Sequence, residues 1–134
     1  MECKDLKVLV VDDIDSARKI VIRLLAKLGI LNVISASNGE GAIEIMKSEE
    51  VDLIISDLHL KDMDCTDVLR KIHETKENFT TPFIVMTSDM NREEFERVIQ
   101  EGVSAYLLKP FSLKDLETII KDTLSPNGNQ PQLQ

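Results

Sequence analysis

Five short apolar runs, most of them stopping at a charged or hydroxyl residue and all followed by residues at helical spacing, confine this chain to a narrow set of folds. Leu6 to Val11 ends at Asp12 and Asp13, Val51 to Ser56 at Asp57, Phe83 to Met86 at Thr87, and Ala105 to Leu108 at Lys109, while Asn32 to Ala36 is a shorter strand pattern closed by Asn38-Gly39. The first run is almost continuously apolar and rich in valine, as expected of a strand covered on both faces. Strands that alternate with helices form a parallel sheet, whose ligands bind beyond the carboxyl ends of the strands where the strand order reverses. Three carboxylates, a hydroxyl and an ammonium are thereby expected on one edge. Carboxylates held close together repel and need a cation or a proton between them, so the cluster is read as a site.

The intervening segments supply the helices. Ala17, Ile20, Val21, Leu24, Leu25 and Leu28 recur at i, i+3, i+4 and i+7, with Gly29 as a left-handed stop. Glu40 to Ser48 carries Ala42, Ile43 and Met46, and Thr66 to Glu77 carries Val68, Leu69 and Ile72. Asn91 is placed to cap a helix burying Phe95, Val98 and Ile99 that stops at Gly102. Ser112 and Asp115 have the spacing of a capping box before Leu113, Leu116, Ile119 and Ile120. The expected fold is therefore α/β, a doubly wound five-stranded parallel sheet of order 2-1-3-4-5 with helices on both faces, the flavodoxin-like arrangement. Residues 1–124 form the domain; Ser125 to Gln134, with one aliphatic residue among prolines, asparagines and glutamines, is expected to be a disordered tail.

Composition removes several functions. A net charge of -8 over 134 residues argues against nucleic acid as the main partner, because duplex binding draws on Lys and Arg contacts to phosphates. Charges interrupt Met1 to Lys7 where a signal peptide needs an apolar stretch, and no run approaches the roughly 20 apolar residues of a membrane span. The expected location is the cytoplasm, without membrane insertion. Cys3 and Cys65 lie far apart in sequence and are read as reduced thiols. With strands one and three adjacent, Asp12 and Asp13 face Asp57 at the switch point, a donor set suited to Mg2+, which takes one or two carboxylates and completes its shell with water and phosphate.

The motifs Val-Val-Asp-Asp, Ser-Asp before a Met-Asp loop, Met-Thr and Lys-Pro-Phe, in that order and spacing, resemble those of a response-regulator receiver domain, most closely the single-domain chemotaxis type. The likeness spans about residues 5–124. The chemotaxis regulator is itself a standing example of the 2-1-3-4-5 order, so strand order and family likeness are not independent arguments. The resemblance implies Asp57 as phosphoacceptor, Asp12 and Asp13 with Asp57 as Mg2+ ligands, Lys109 as the phosphoryl partner, Thr87 and Tyr106 as switch residues, and His59 and Asp89 as positions that tune phosphate lifetime. It also implies a histidine kinase as phosphodonor and a phosphate-dependent effector such as a flagellar motor component, met by a surface of helix four, strand five and helix five. The protein would be no enzyme in its own right but would assist its own phosphorylation and dephosphorylation, as a monomer or weak dimer.

Three positions depart from the family pattern. Lys61 and Cys65 stand where the loop after the phosphoacceptor commonly has proline and glycine, and Ser88 replaces the more usual alanine beside Thr87. Alternatives of other kinds fit less well. A stand-alone receiver in a phosphorelay, or one cut from a longer regulator, would share every motif. A haloacid-dehalogenase-like phosphatase would use the Asp13-Ile14-Asp15 pattern, with Asp13 as nucleophile, but lacks its companion motifs and length for a cap. A flavin-binding module would need a hydroxyl-rich loop after strand one, where Asp12 and Asp13 would repel the flavin phosphate.

Overall fold

The computed structural model describes residues 5–89, 91–125 and 132–133. The elements alternate as β1 (Lys7–Val11), α1 (Asp15–Lys27), β2 (Asn32–Ala36), α2 (Gly39–Ser48), β3 (Leu53–Asp57), α3 (Cys65–Thr75), β4 (Phe83–Thr87), α4 (Arg92–Gln100), β5 (Ala105–Leu108) and α5 (Leu113–Leu124). The strands pair in parallel in the order β2-β1-β3-β4-β5, the topology expected from the sequence. A two-residue strand, β6 (Gln132–Leu133), extends the sheet beside β5 and was not expected from the sequence. Of the stretch read as a disordered tail, residues 126–131 and 134 lie outside the described residues.

Because successive strand side chains point to opposite faces, each central strand feeds two cores. Leu9, Val11, Ile54, Phe83, Val85 and Tyr106 join Ala42, Met46, Val68, Ile72 and Val98 under α2, α3 and α4. Val8, Val10, Leu53, Ile55, Ile84, Met86 and Leu107 join Val21, Leu25, Leu116 and Ile119 under α1 and α5. Every residue of β3 and β4 is buried, which fits their nearly unbroken apolar sequences.

Local signals act largely as the sequence suggests. Gly29 takes φ +88° after α1, a left-handed value that a Cβ would strain. Asn91 accepts from the Glu94 amide, and Ser112 and Asp115 form the expected capping box. Three details differ. Ile20, assigned to the buried stripe of α1, is 53% exposed and lines a groove with Pro110 and Phe111 instead. Asn38 is the cap of α2 through the Gly41 amide, so Gly39 opens the helix instead of completing a turn. The third helix begins at Cys65 and ends at Thr75, since Asp64 and Asp67 make a capping box ahead of it.

Candidate functional site

Parallel register brings the ends of β1 and β3 side by side, with Val11 opposite Ser56, so Asp12 and Asp57 leave adjacent strands at the same level. The Asp12 and Asp13 carboxylates are not spent on capping the next helix. The cap of α1 is Ile14, which has no side-chain cap bond; Asp12 Oδ1 merely accepts the Ile14 amide at 2.9 Å. Arg18, one turn into α1, donates to the Asp12 carbonyl at 2.9 Å and to Asp15 at 2.6 Å, fixing the loop from the helix side.

One oxygen from each of Asp12, Asp13 and Asp57 lies within 4.8 Å of the others. Asp12 is fully buried and Asp57 is 8% exposed. Lys109 Nζ sits 2.5 Å from Asp57 Oδ1 and 3.7 Å from Asp12 Oδ2. Asp12 Oδ2 is buried without a hydrogen-bond partner among the described residues. Burial and the Asp12 carboxyl beside it push the Asp57 carboxyl up to about 7, against the pull of the Lys109 ammonium. Three carboxylates facing one ammonium leave excess negative charge in a poorly solvated place. A divalent cation would neutralise that excess and give the orphaned oxygen a partner, and oxygen-only donors suit a hard ion such as Mg2+.

Thr87 closes β4 and Lys109 follows β5, with the Lys109 amide donating to the Thr87 carbonyl at 2.6 Å. The Lys109-Pro110 peptide bond is cis. Thr87 and Tyr106 both donate to the Asp89 carbonyl at 3.3 Å, tying the hydroxyl, the aromatic residue and the β4–α4 loop to one main-chain atom. The Tyr106 ring is fully buried and meets Phe95 of α4 edge-on, with centroids 5.3 Å apart. Burial, reinforced by the Glu94 charge, raises its hydroxyl above the ordinary tyrosine value.

The imidazole of His59 lies between Asp64, 3.4 Å away, and Glu94, 3.2 Å away, and is largely exposed. His73 packs edge-on against Phe79. Cys65 is buried and free, with its thiol held above the usual range by burial and the adjacent Asp64 charge; Cys3 lies outside the described residues. Four contributors escaped the sequence reading: Arg18, Asp62, Asp64 and Arg97. Asp62 accepts the Gly39 and Glu40 amides, and Arg97 of α4 reaches Asp64 and Thr66 at 3.2 Å each. Only Asp64 carried a local signal, through its capping-box spacing to Asp67.

Comparison with known proteins agrees with this geometry. The family described as "Response regulator receiver domain" matches residues 8–121. The chemotaxis protein CheY-3 of Vibrio cholerae serotype O1 is 32% identical over 114 residues, covering 85% of this chain and 88% of that protein. A crystal structure of the V. cholerae chemotaxis protein CheY4 superposes with a TM-score of 0.82 at 27% identity, over 89% of this chain and 98% of that one. The receiver domain of a sensor histidine kinase from Pseudomonas aeruginosa PAO1, with a magnesium ion coordinated in its active-site cleft, gives a TM-score of 0.78 at 25% identity, over 87% of this chain and 94% of that one. No helix among the described residues is long and apolar enough to cross a membrane.

Proposed function

The chain belongs to the response-regulator receiver-domain family, and on that premise we propose that it is a phosphorylation-activated switch of a two-component system, with Asp57 as phosphoacceptor. The observation that carries this reading is the convergence of Asp12, Asp13 and Asp57 around an oxygen with no partner, with Lys109 against the acceptor. The phosphodonor is a phosphorylated imidazole on a histidine kinase. An Asp57 carboxylate oxygen attacks phosphorus, the P–N bond breaks, the imidazole nitrogen takes a proton, and a mixed acyl-phosphoryl anhydride remains on the protein. Asp12, Asp13 and Asp57 would hold Mg2+, which when bound supplies neutralising charge to the phosphoryl oxygens. Lys109 would move from the Asp57 carboxylate to a phosphoryl oxygen, and Thr87 would give its hydroxyl to another. The protein thus assists a transfer onto itself, and it is not proposed to turn over a separate substrate.

A groove of about 390 Å³ is lined by Ala17, Ile20, Val21 and Leu24 of α1 with Pro110 and Phe111, and reaches Asp12 and Lys109, the neighbours of Asp57. Its apolar walls suit a kinase helix carrying the donor. For output, the proposed change runs through the Asp89 carbonyl that Thr87 and Tyr106 share: as Thr87 turns to the phosphoryl group it leaves that atom, and Tyr106, the β4–α4 loop and α4 rearrange with it. This biases a two-state surface of α4, β5 and α5 toward an effector. Likeness to the V. cholerae chemotaxis protein favours a chemotaxis effector such as a flagellar motor component. Lifetime of the phosphate is assigned to His59 and Asp89, which flank the acceptor and Thr87 in sequence.

The reading is tested by treating the protein with acetyl phosphate and Mg2+, trapping the acyl phosphate with borohydride and mapping the reduced residue. Reduction at position 57 is expected, and reduction at position 13 would contradict the proposal. Capture of the same proteins from cells by the phosphorylated and Asp57→Asn forms would contradict the phosphate-gated surface.

A further inference from the structure

The loop from Leu58 to Asp64 carries the main chain away from the acceptor and contains neither proline nor glycine to set its backbone. It is nonetheless closed on itself. The Leu58 amide donates to the Met86 carbonyl at 2.9 Å, the Leu60 amide to Met63 at 3.0 Å and the Cys65 amide to Leu58 at 2.9 Å, while His59 and Asp64 form an antiparallel bridge. Whatever fixes the tip of this hairpin therefore fixes the backbone next to Asp57.

The tip is fastened to α2. Asp62 Oδ1 accepts the Gly39 amide and Oδ2 the Glu40 amide, each at 2.9 Å. These are two of the free donors at a helix start, and a carboxylate there also meets the positive end of the helix dipole. Asp62 is exposed, and against the slight desolvation it suffers, the Glu40 and Gly39 amides together with the loop's own Asp62 and Met63 amides hold its carboxyl below its ordinary value. Met63 then packs where Gly39 has no side chain: a Cβ there would stand 2.5 Å from Met63 Cγ and 2.7 Å from Sδ. Asn38 caps the same helix through the Gly41 amide, and among the described residues no hydrogen bond joins its side chain to the loop.

We infer that Asp62 is a positioning residue for the phosphoacceptor: by accepting the two opening amides of α2 it fastens the β3–α3 loop to that helix and so sets the main chain that follows Asp57. A loop without proline or glycine is here held by a side-chain clasp. The inference rests on the proposed role of Asp57, and it predicts that breaking the clasp loosens the cation site as well as the loop.

The test compares Asp62→Ala, Asp62→Asn, Asn38→Ala and Gly39→Ala in the full chain. Mg2+ alone is titrated against the amide shifts of residues 12, 13 and 57, and hydrogen exchange at Leu60 and Cys65 is followed without metal. Asp62→Ala should weaken Mg2+ binding roughly 3- to 10-fold, less than the 10- to 100-fold typical of groups bonded directly to a metal ligand, and speed exchange at both amides. Asp62→Asn, keeping one acceptor oxygen, should recover part of both. Gly39→Ala favours helix at that position yet pushes Met63 away, so it should weaken Mg2+ binding with Asp62 still present. Asn38→Ala should lower the melting temperature and leave both readouts near wild type. Equal losses in Asp62→Ala and Asn38→Ala, or no change in either readout for Asp62→Ala, would overturn the inference. If the wild type itself fails to bind Mg2+, the functional reading fails, while the exchange rates still decide the clasp.

Discussion

The two edges of the sheet treat charge in opposite ways. Where the strands begin, charges are met near water: the Lys7 ammonium bonds Glu49, Lys76 bonds Glu50 at 3.1 Å, and the Asp52 carboxylate accepts the Lys7 amide at 2.8 Å. Where the strands end, three carboxylates crowd together, the Lys109 ammonium reaches Asp12 and Asp57, and a buried oxygen of Asp12 has no hydrogen-bond partner among the described residues. The same strands thus carry a relaxed edge and a frustrated one. Charge placed for stability is paired and exposed, whereas charge placed for chemistry waits for something the protein does not itself supply.

Substitutions at the two edges and in the core between them break this comparison apart. Asp57→Asn should abolish acetyl-phosphate labelling while leaving the metal-free protein at least as stable at pH 7, because it removes one of two crowded buried carboxylates; lost stability with retained labelling would invert the picture. Phe83→Ala should do the reverse. Emptying a fully buried ring from β4 costs about 3–5 kcal/mol in urea denaturation, with labelling per folded molecule little changed. Lys109→Met should slow labelling by roughly 100-fold, read as the initial rate at saturating Mg2+.

Protonation sharpens the contrast further. Burial and the neighbouring Asp12 hold the Asp57 carboxyl at about 7, up from its ordinary 3.8. A carboxyl with a raised folded pKa binds its proton more tightly when folded than when unfolded. Its stabilising contribution is complete below about pH 4 and is lost as pH rises through 7. The melting temperature of the metal-free wild type should therefore fall across that window relative to Asp57→Asn, and apparent Mg2+ affinity should rise across it. The smallest effect belongs to the relaxed edge: Glu49→Gln should cost under about 1 kcal/mol and leave labelling untouched.

The sequence announced the frustrated edge more clearly than the relaxed one. Asp12, Asp13, Asp57, Thr87 and Lys109 each follow an apolar run, and parallel topology alone carries the ends of such runs to one side. Caps at Asn91 and Ser112 were legible because their partners lie three residues away. What stayed hidden was non-local. Nothing near Asp62 reveals that its partners are the amides of Gly39 and Glu40, more than twenty residues back. Nor does the spacing of α1 reveal that Ile20 overhangs the sheet and walls a groove instead of entering the core. The burial of Tyr106 depends on Phe95 and the Asp89 carbonyl, which only the fold brings together.

The most direct test of the shared acidic pocket is a crystal structure grown with Mg2+ and beryllofluoride, a stand-in for the phosphoryl group. The account predicts fluoroberyllate density joined to an Asp57 oxygen, Lys109 turned to a fluorine, and a cation beside Asp12 and Asp13. Density joined to Asp13 instead, or an Asp57 still paired with Lys109 in a pocket without cation or beryllium, would contradict it.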